Sequence, residues 1–252
     1  MRLRFTGPRK RVLFTLVAGA LLLSAVGTGL WRASKAWCFV LAGEVTCRAE
    51  TEEPIVALTL DDGPTPEGTA AAIAALERGG ARATFFLIGR HIERHPGEVR
   101  RILAAGHEVG NHSWSHKRMM GRSSAWYDEE IARTGALLHR LGARGPRLFR
   151  PPFGKKLFGL PLAARRQGHR MIMWDVGEAD LADPRAYADH IVARARPGSI
   201  ILMHVMYRGN ATGRTALPLV LDGLRRKGLR AVTVGELLAR TEERDRTARR
   251  DR

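Results

Sequence analysis

Ile55-Val56-Ala57-Leu58-Thr59-Leu60-Asp61-Asp62-Gly63-Pro64 reads as an unbroken apolar strand that stops on two carboxylates and a Gly-Pro turn. A run of this kind fits a strand covered on both faces, as in parallel sheets. The pattern then recurs. Further strand-like runs fall at 83–88, 108–111, 147–150, 170–174, 199–203 and 229–234. Between them lie helical stretches at 66–78, 96–105, 124–141, 160–167, 184–195 and 215–227, and a closing helix starts at 235. Gly79-Gly80 stops the first helix, Ser123 or Ser124 caps the third, and Asp183-Pro184 opens the fifth as N-cap and first residue. Strands alternating with helices predict an α/β domain whose parallel sheet is closed, or nearly closed, into a barrel. A chain of 252 residues suits a single barrel of that kind.

Working outward, the amino end carries Arg2, Arg4, Arg9, Lys10 and Arg11 ahead of an apolar run from Val12 to Leu30. Those residues would span roughly 28 Å as a helix, near the thickness of a bilayer core. The run is longer than a usual signal-peptide apolar region and no clean small-x-small cleavage site follows. An uncleaved anchor with its basic end in the cytoplasm is therefore expected, the rest of the chain lying outside; cleavage to a secreted or periplasmic form is the alternative. Cys38 and Cys47, the two cysteines of the chain, flank eight residues, a spacing that suits a disulfide closing a small hairpin in an oxidising compartment. Two free thiols are the competing reading. The expected organisation is a basic end and anchor over 1–36, a Cys-containing hairpin and linker over 37–54, the barrel over 55–240, and a charged, frayed tail over 241–252.

The formal net charge is +17, and without the basic end and the Arg-rich tail the rest carries +9. Such a balance draws attention to nucleic acid, anionic lipid or an anionic polymer. No helix-turn-helix, zinc-knuckle or aromatic-interleaved basic strand accompanies it, so nucleic acid is not an expected partner. The arginines read mostly as a solvated surface on a monomer.

Chemistry gathers where the strands end. Asp61 and Asp62 follow the first strand, His112 and His116 the third, Arg150 the fourth, Asp175 the fifth and His204 the sixth. In a (β/α) barrel those carboxyl ends converge on one face, where active sites are built. Two histidines four apart can share one side of a helical turn, and a carboxylate brought against them makes three ligands with an open fourth position, the arrangement of a catalytic zinc site. Each element alone has an ordinary explanation as a turn, a loop or a core histidine. His91, His95, His107, His139, His169 and His190 lack this placement and read as structural or surface residues.

In order along the chain stand Thr59-Leu60-Asp61-Asp62-Gly63-Pro64, His112-Ser113-Trp114-Ser115-His116, Arg150-Pro151-Pro152-Phe153-Gly154, the region 174–180 and Leu202-Met203-His204. From Ile55 to Leu238 the chain thereby resembles the polysaccharide deacetylase family, the NodB-homology domain of carbohydrate esterase family 4, whose fold is a distorted (β/α) barrel. The resemblance implies that Asp62, His112 and His116 hold a divalent metal, usually zinc, and that Asp61 is the general base. It further implies that Arg150 holds Asp61, that His204 is the general acid, and that the backbone N–H of Phe153 stabilises an oxyanion. Leu202 and Trp114 would wall the pocket for the acetyl methyl. The family often shows an Asp-Trp pair in the fourth segment, the Asp tuning the acid histidine; here Asp180 would be that Asp, with Leu181 in place of the Trp. Asp175 and Glu178 are rival partners for His204.

The expected activity is removal of N-acetyl groups from an extracytoplasmic polysaccharide, peptidoglycan N-acetylglucosamine first among them. A deacylase or deformylase of a lipid-linked sugar, or an O-acetyl esterase of another glycan, is the alternative within the family. A non-catalytic, metal-containing glycan-binding module is the alternative outside it.

Overall fold

The computed structural model describes residues 8–35, 38–156 and 158–250. Helix α1 (Pro8–Lys35) is long and apolar enough over Val12–Gly29 to cross a membrane, and its apolar side chains are exposed. The barrel begins at β1 (Ile55–Gly63) and continues through α2 (Pro66–Arg78), β2 (Thr84–Leu87), α3 (Gly89–Arg94), α4 (Pro96–Ala104) and β3 (Glu108–Asn111). It goes on through α5 (Ser124–Arg140), β4 (Leu148–Phe149), α6 (Gly159–Arg166), β5 (Arg170–Met171) and α7 (Pro184–Arg194). It ends with β6 (Ile200–His204), α8 (Ala211–Arg226), β7 (Arg230–Val232) and α9 (Val234–Arg250). The expected caps are in place: Ser123 accepts from the N–H of Trp126, and Asp183 from that of Ala186. Helix α3 has no counterpart in the sequence reading, because six residues are too few to show a helical period.

All strand pairs are parallel, in the order β5-β4-β3-β2-β1-β6, with β7 beside the first residues of β1. The sheet curls, and one short segment joins its edges. Arg170 and Met171 pair with β4, after which Val176 bridges Ile201 of β6. The strand expected over 170–174 is therefore cut short: the chain leaves one edge of the sheet to reach the other, giving a barrel distorted at that seam.

Two-residue periodicity divides the core. Val56, Leu58 and Leu60 of β1, Phe85 and Leu87 of β2, and Ile201 and Met203 of β6 face the helices. Ile55, Ala57, Phe86 and Ile200 fill the interior with Leu237 and Leu238, so α9 plugs the bottom of the barrel. The same alternation sends Thr59, Asp61, Leu202 and His204 inward, above that apolar floor.

Two sequence expectations change at the ends. Cys38 and Cys47 are disulfide-bonded with Cα atoms 6.1 Å apart, but the residues between them form no hairpin; Thr46 instead makes a parallel bridge to Ile172. The segment 241–250 is helical rather than frayed, continuing α9. Charge holds it: Arg170 bonds Glu242, Arg240 bonds Glu53, and Arg244 donates to the carbonyl of Glu50.

Candidate active site

On a regular strand Asp61 and Asp62 would face opposite ways. A register break between β1 and β2 at these residues, with Asp62 in the left-handed region at φ 74, brings both carboxylates to the barrel mouth. His112 follows β3 directly. The pair His112 and His116 does not lie on a helical turn: the loop between them has positive φ at Ser113 and at His116, and it places the rings 5.0 Å apart. That loop is fastened from below. Asn111 accepts from the N–H of Ser113 and donates to the carbonyl of Ile131, while the buried Glu130 of α5 accepts from the N–H groups of Trp114 and Ser115 at 3.0 and 2.8 Å. Sequence reading passed over Glu130, since a carboxylate on an amphipathic helix looks like a solvated one.

Asp62, His112 and His116 bring their ligand atoms within 4.8 Å of one another and can hold a metal ion. His116 Nε2 lies 3.0 Å and His112 Nε2 3.4 Å from Asp62 Oδ1. His112 Nδ1 faces the carbonyl of Arg150 at 2.8 Å, so it must donate there, which leaves Nε2 of a neutral ring with its lone pair toward the carboxylate. Asp62 Oδ1 is buried without a hydrogen-bond partner of good geometry. Two ring nitrogens around an orphaned carboxylate oxygen fit a shared cation.

Asp61 is held separately. Arg150, fully buried after β4, donates to Asp61 Oδ1 at 2.8 Å, to Thr59 Oγ1 at 2.7 Å, and to the carbonyls of Ile172 and Met173. Its guanidinium also stacks 4.2 Å from the Phe86 ring centroid. Burial pulls the pKa of Arg150 down, and the Asp61 charge opposes that pull. Breaking a buried pair of this kind typically costs about 3–5 kcal/mol.

Across the mouth, His204 ends β6 with Nε2 3.7 Å from Asp62 Oδ2. Its Nδ1 meets Glu178 Oε1 at 2.6 Å, and Glu178 Oε2 accepts from the His204 N–H at 3.0 Å and from the Tyr187 hydroxyl. Glu178, not Asp180, is thus the partner of His204: Asp180 lies exposed two residues further on. Asp175 is excluded as well, because it accepts from Ser199 and from the N–H of Ile200 at the start of β6. Burial would lower the pKa of His204, but Glu178 first, with Asp61 and Asp62, pushes it up to about 9. Gly213 lets α8 pass against the His204 carbonyl, where a Cβ would collide with the oxygen.

The remaining predicted residues divide. Leu202 is buried on the inward face beside His204, as a pocket wall requires. Phe153 sits in the turn Pro152–Gly154 at φ 57, its ring 4.9 Å from that of His116. Trp114 turns elsewhere: its ring packs on Gly89 under the Arg133 guanidinium, 3.4 Å away, between α3 and α5. His91, set aside in the sequence, approaches the Asp62 carbonyl and the Tyr207 hydroxyl, each at 3.3 Å.

A parallel half-barrel with a carboxylate-histidine cluster at its carboxyl-terminal mouth is the arrangement of a barrel enzyme with a possible metal site. The comparisons narrow this class. The family described as Polysaccharide deacetylase matches residues 48–172. A peptidoglycan-N-acetylglucosamine deacetylase of Bacillus cereus is 34% identical over 200 residues, 78% of this chain and 93% of that protein. The crystal structure of a peptidoglycan N-acetylglucosamine deacetylase superposes with a TM-score of 0.72 at 31% identity, covering 77% of this chain and 92% of the other. A carbohydrate esterase family 4 pseudoenzyme from Bacillus anthracis superposes equally well, at 0.72 and 26% identity, over 79% of this chain and 70% of that one. The chain belongs to the polysaccharide deacetylase family, and it is a deacetylase.

Proposed function

We propose that this protein hydrolyses the N-acetyl group of N-acetylglucosamine in peptidoglycan, outside the membrane in which α1 anchors it, with zinc as its metal. One observation carries the reading: an Asp62-His112-His116 cluster lies between Asp61 held by Arg150 and His204 held by Glu178. Fold alone would not carry it, since a pseudoenzyme shares the fold. Two imidazoles and a carboxylate are zinc-type donors, and the cation they hold would supply an acidified water and a polarised carbonyl. The relatives' substrate supports the polymer, and the Cys38–Cys47 disulfide supports an oxidising compartment.

The roles of the chain's own groups follow from their settings. Asp61, its charge balanced by Arg150, takes the proton as water attacks the amide carbonyl. An amine leaves poorly unless it is protonated, and His204, held protonated by Glu178, delivers that proton from the opposite side. The N–H of Phe153 faces the oxyanion, and Leu202 bounds the methyl.

The test is acetate and formate release by the full chain in detergent from peptidoglycan, chitooligosaccharides, acetylated xylan and lipid-linked sugars, with metal stripped and zinc restored. Zinc-dependent acetate from peptidoglycan is the expected result. Formate from a lipid-linked sugar, or acetate from xylan alone, would replace the substrate assignment, and zinc binding without any release would leave a glycan-binding module.

A further inference from the structure

We propose that Arg118 forms a subsite for an oxyanion substituent, a carboxylate or a phosphate, on the sugar next to the one being deacetylated. The proposal rests on the deacetylase reading above and adds what the substrate must carry beyond its acetamide.

The geometry starts at the metal cluster. His116 Nε2 lies 3.0 Å from Asp62, the Phe153 ring lies 4.9 Å from the His116 ring, and the Arg118 guanidinium lies over Phe153 at 5.4 Å. Arg118 is therefore placed beside the mouth, two ring contacts from a metal ligand: too far for the reacting amide, but suited to a neighbouring residue of a bound polymer. Its backbone is fixed, because Met119 is 1% exposed in a core cluster with Tyr127, Ile131 and Phe149. The side chain itself is exposed.

Arg118 combines this place beside the metal-binding cluster with the absence of a carboxylate partner. Some arginines elsewhere are neutralised: Arg133 pairs with Glu93, Arg166 with Asp128, and Arg214 with Glu67. Among the described residues, no carboxylate pairs with Arg118, with Lys117 beside it, or with Arg90 at the start of α3. Arg90 adjoins the histidine loop, its backbone N–H donating to the Trp114 carbonyl at 3.1 Å. The carboxylates at the mouth are already engaged, Asp61 with Arg150, Asp62 with His116 and Glu178 with His204. Unpaired cations around a cleft raise its positive potential and attract an anionic polymer. Within that field the planar guanidinium, steadied on an aromatic face, is the group suited to two-pronged recognition of a carboxylate or phosphate.

The experiment compares the zinc-loaded full chain with Arg118→Gln and Arg118→Lys. Substrates are peptidoglycan glycan fragments bearing carboxylates, the same fragments amidated, a phosphate-bearing N-acetylglucosamine oligomer, and a neutral chitooligosaccharide. Arg118→Gln should raise KM on the anionic substrates about tenfold and leave kcat and the neutral substrates within about twofold. Arg118→Lys should fall between, and added salt should erase the wild-type preference. Which of the two anions shows the larger change identifies the oxyanion. Calorimetric Kd values for the same oligomers provide a readout without turnover. Anion affinity that falls in Arg118→Gln supports the subsite even if no acetate is released, a result that would overturn the deacetylase reading alone. Equal losses on charged and neutral oligomers, or an unchanged Kd, overturn the subsite and leave that reading intact.

Discussion

The two sides of the site are built differently. On the metal side, Asp61, Asp62, His112 and His116 come from two compact motifs, and each motif is held by a backbone device: a break in β1 and a left-handed loop after β3. On the acid side, His204 ends a plain apolar strand, and its partners Glu178 and Tyr187 come from an irregular segment and from α7. The first side spends conformational freedom to place ligands, and the second uses a chain of hydrogen bonds to set one proton. A rigid cluster should therefore fail all at once when a member is lost, whereas the chain should weaken in steps.

That contrast can be broken most sharply at His112. Replacing it with alanine should release the metal and lower kcat by about 10³-fold or more, since a Lewis acid contributes several kcal/mol; metal retained in a dialysed sample would refute the ligand set. Next in size is Asp61→Asn, expected to cost about 10²–10⁴-fold in turnover while metal content stays at the wild-type level. Loss of metal there would move Asp61 from base to ligand.

Glu178→Gln sharpens the other side. In the proposed reaction His204 acts in its protonated form, so activity is expected to fall as pH rises through its pKa. Glu178 raises that pKa, and removing its charge should move the alkaline limb of the pH–rate profile to lower pH. At a pH on that limb the loss should be about tenfold for each unit moved. Asp180→Asn should leave the limb where it is, and a shift with Asp180 but not Glu178 would restore the reading taken from the sequence. Smallest is Tyr187→Phe, which removes one hydrogen bond to Glu178 and should cost about fivefold or less in kcat. A larger effect would mean that Tyr187 contacts the substrate itself.

The strand-helix alternation was legible because both periods are written in the apolar residues; α2 and β3 have the observed bounds Pro66–Arg78 and Glu108–Asn111. Elements too short for a period escaped, α3 among them. The cut to β5 escaped too, because closure of a sheet is a property of its edges and not of a strand's composition. The family pattern points to Asp180 and leaves Asp175 and Glu178 as rivals, because which acid meets His204 depends on where an irregular stretch of chain turns. For Trp114, a place inside the histidine motif says nothing of which side its ring takes, and the ring lies against Gly89 of α3 under Arg133 of α5.

By itself the sequence determined the parallel α/β architecture and pointed to the strand ends where Asp62, His112 and His116 come together. It could do so because strand ends are local features, and in a parallel barrel every carboxyl end arrives at one mouth. Only the tertiary structure decided that Asp61 and Asp62 face the same way, that Glu130 holds the histidine loop, and that Glu178 rather than Asp180 sets His204. Those outcomes depend on directions and distances between segments far apart in the chain, which packing and hydrogen bonding fix and composition does not encode.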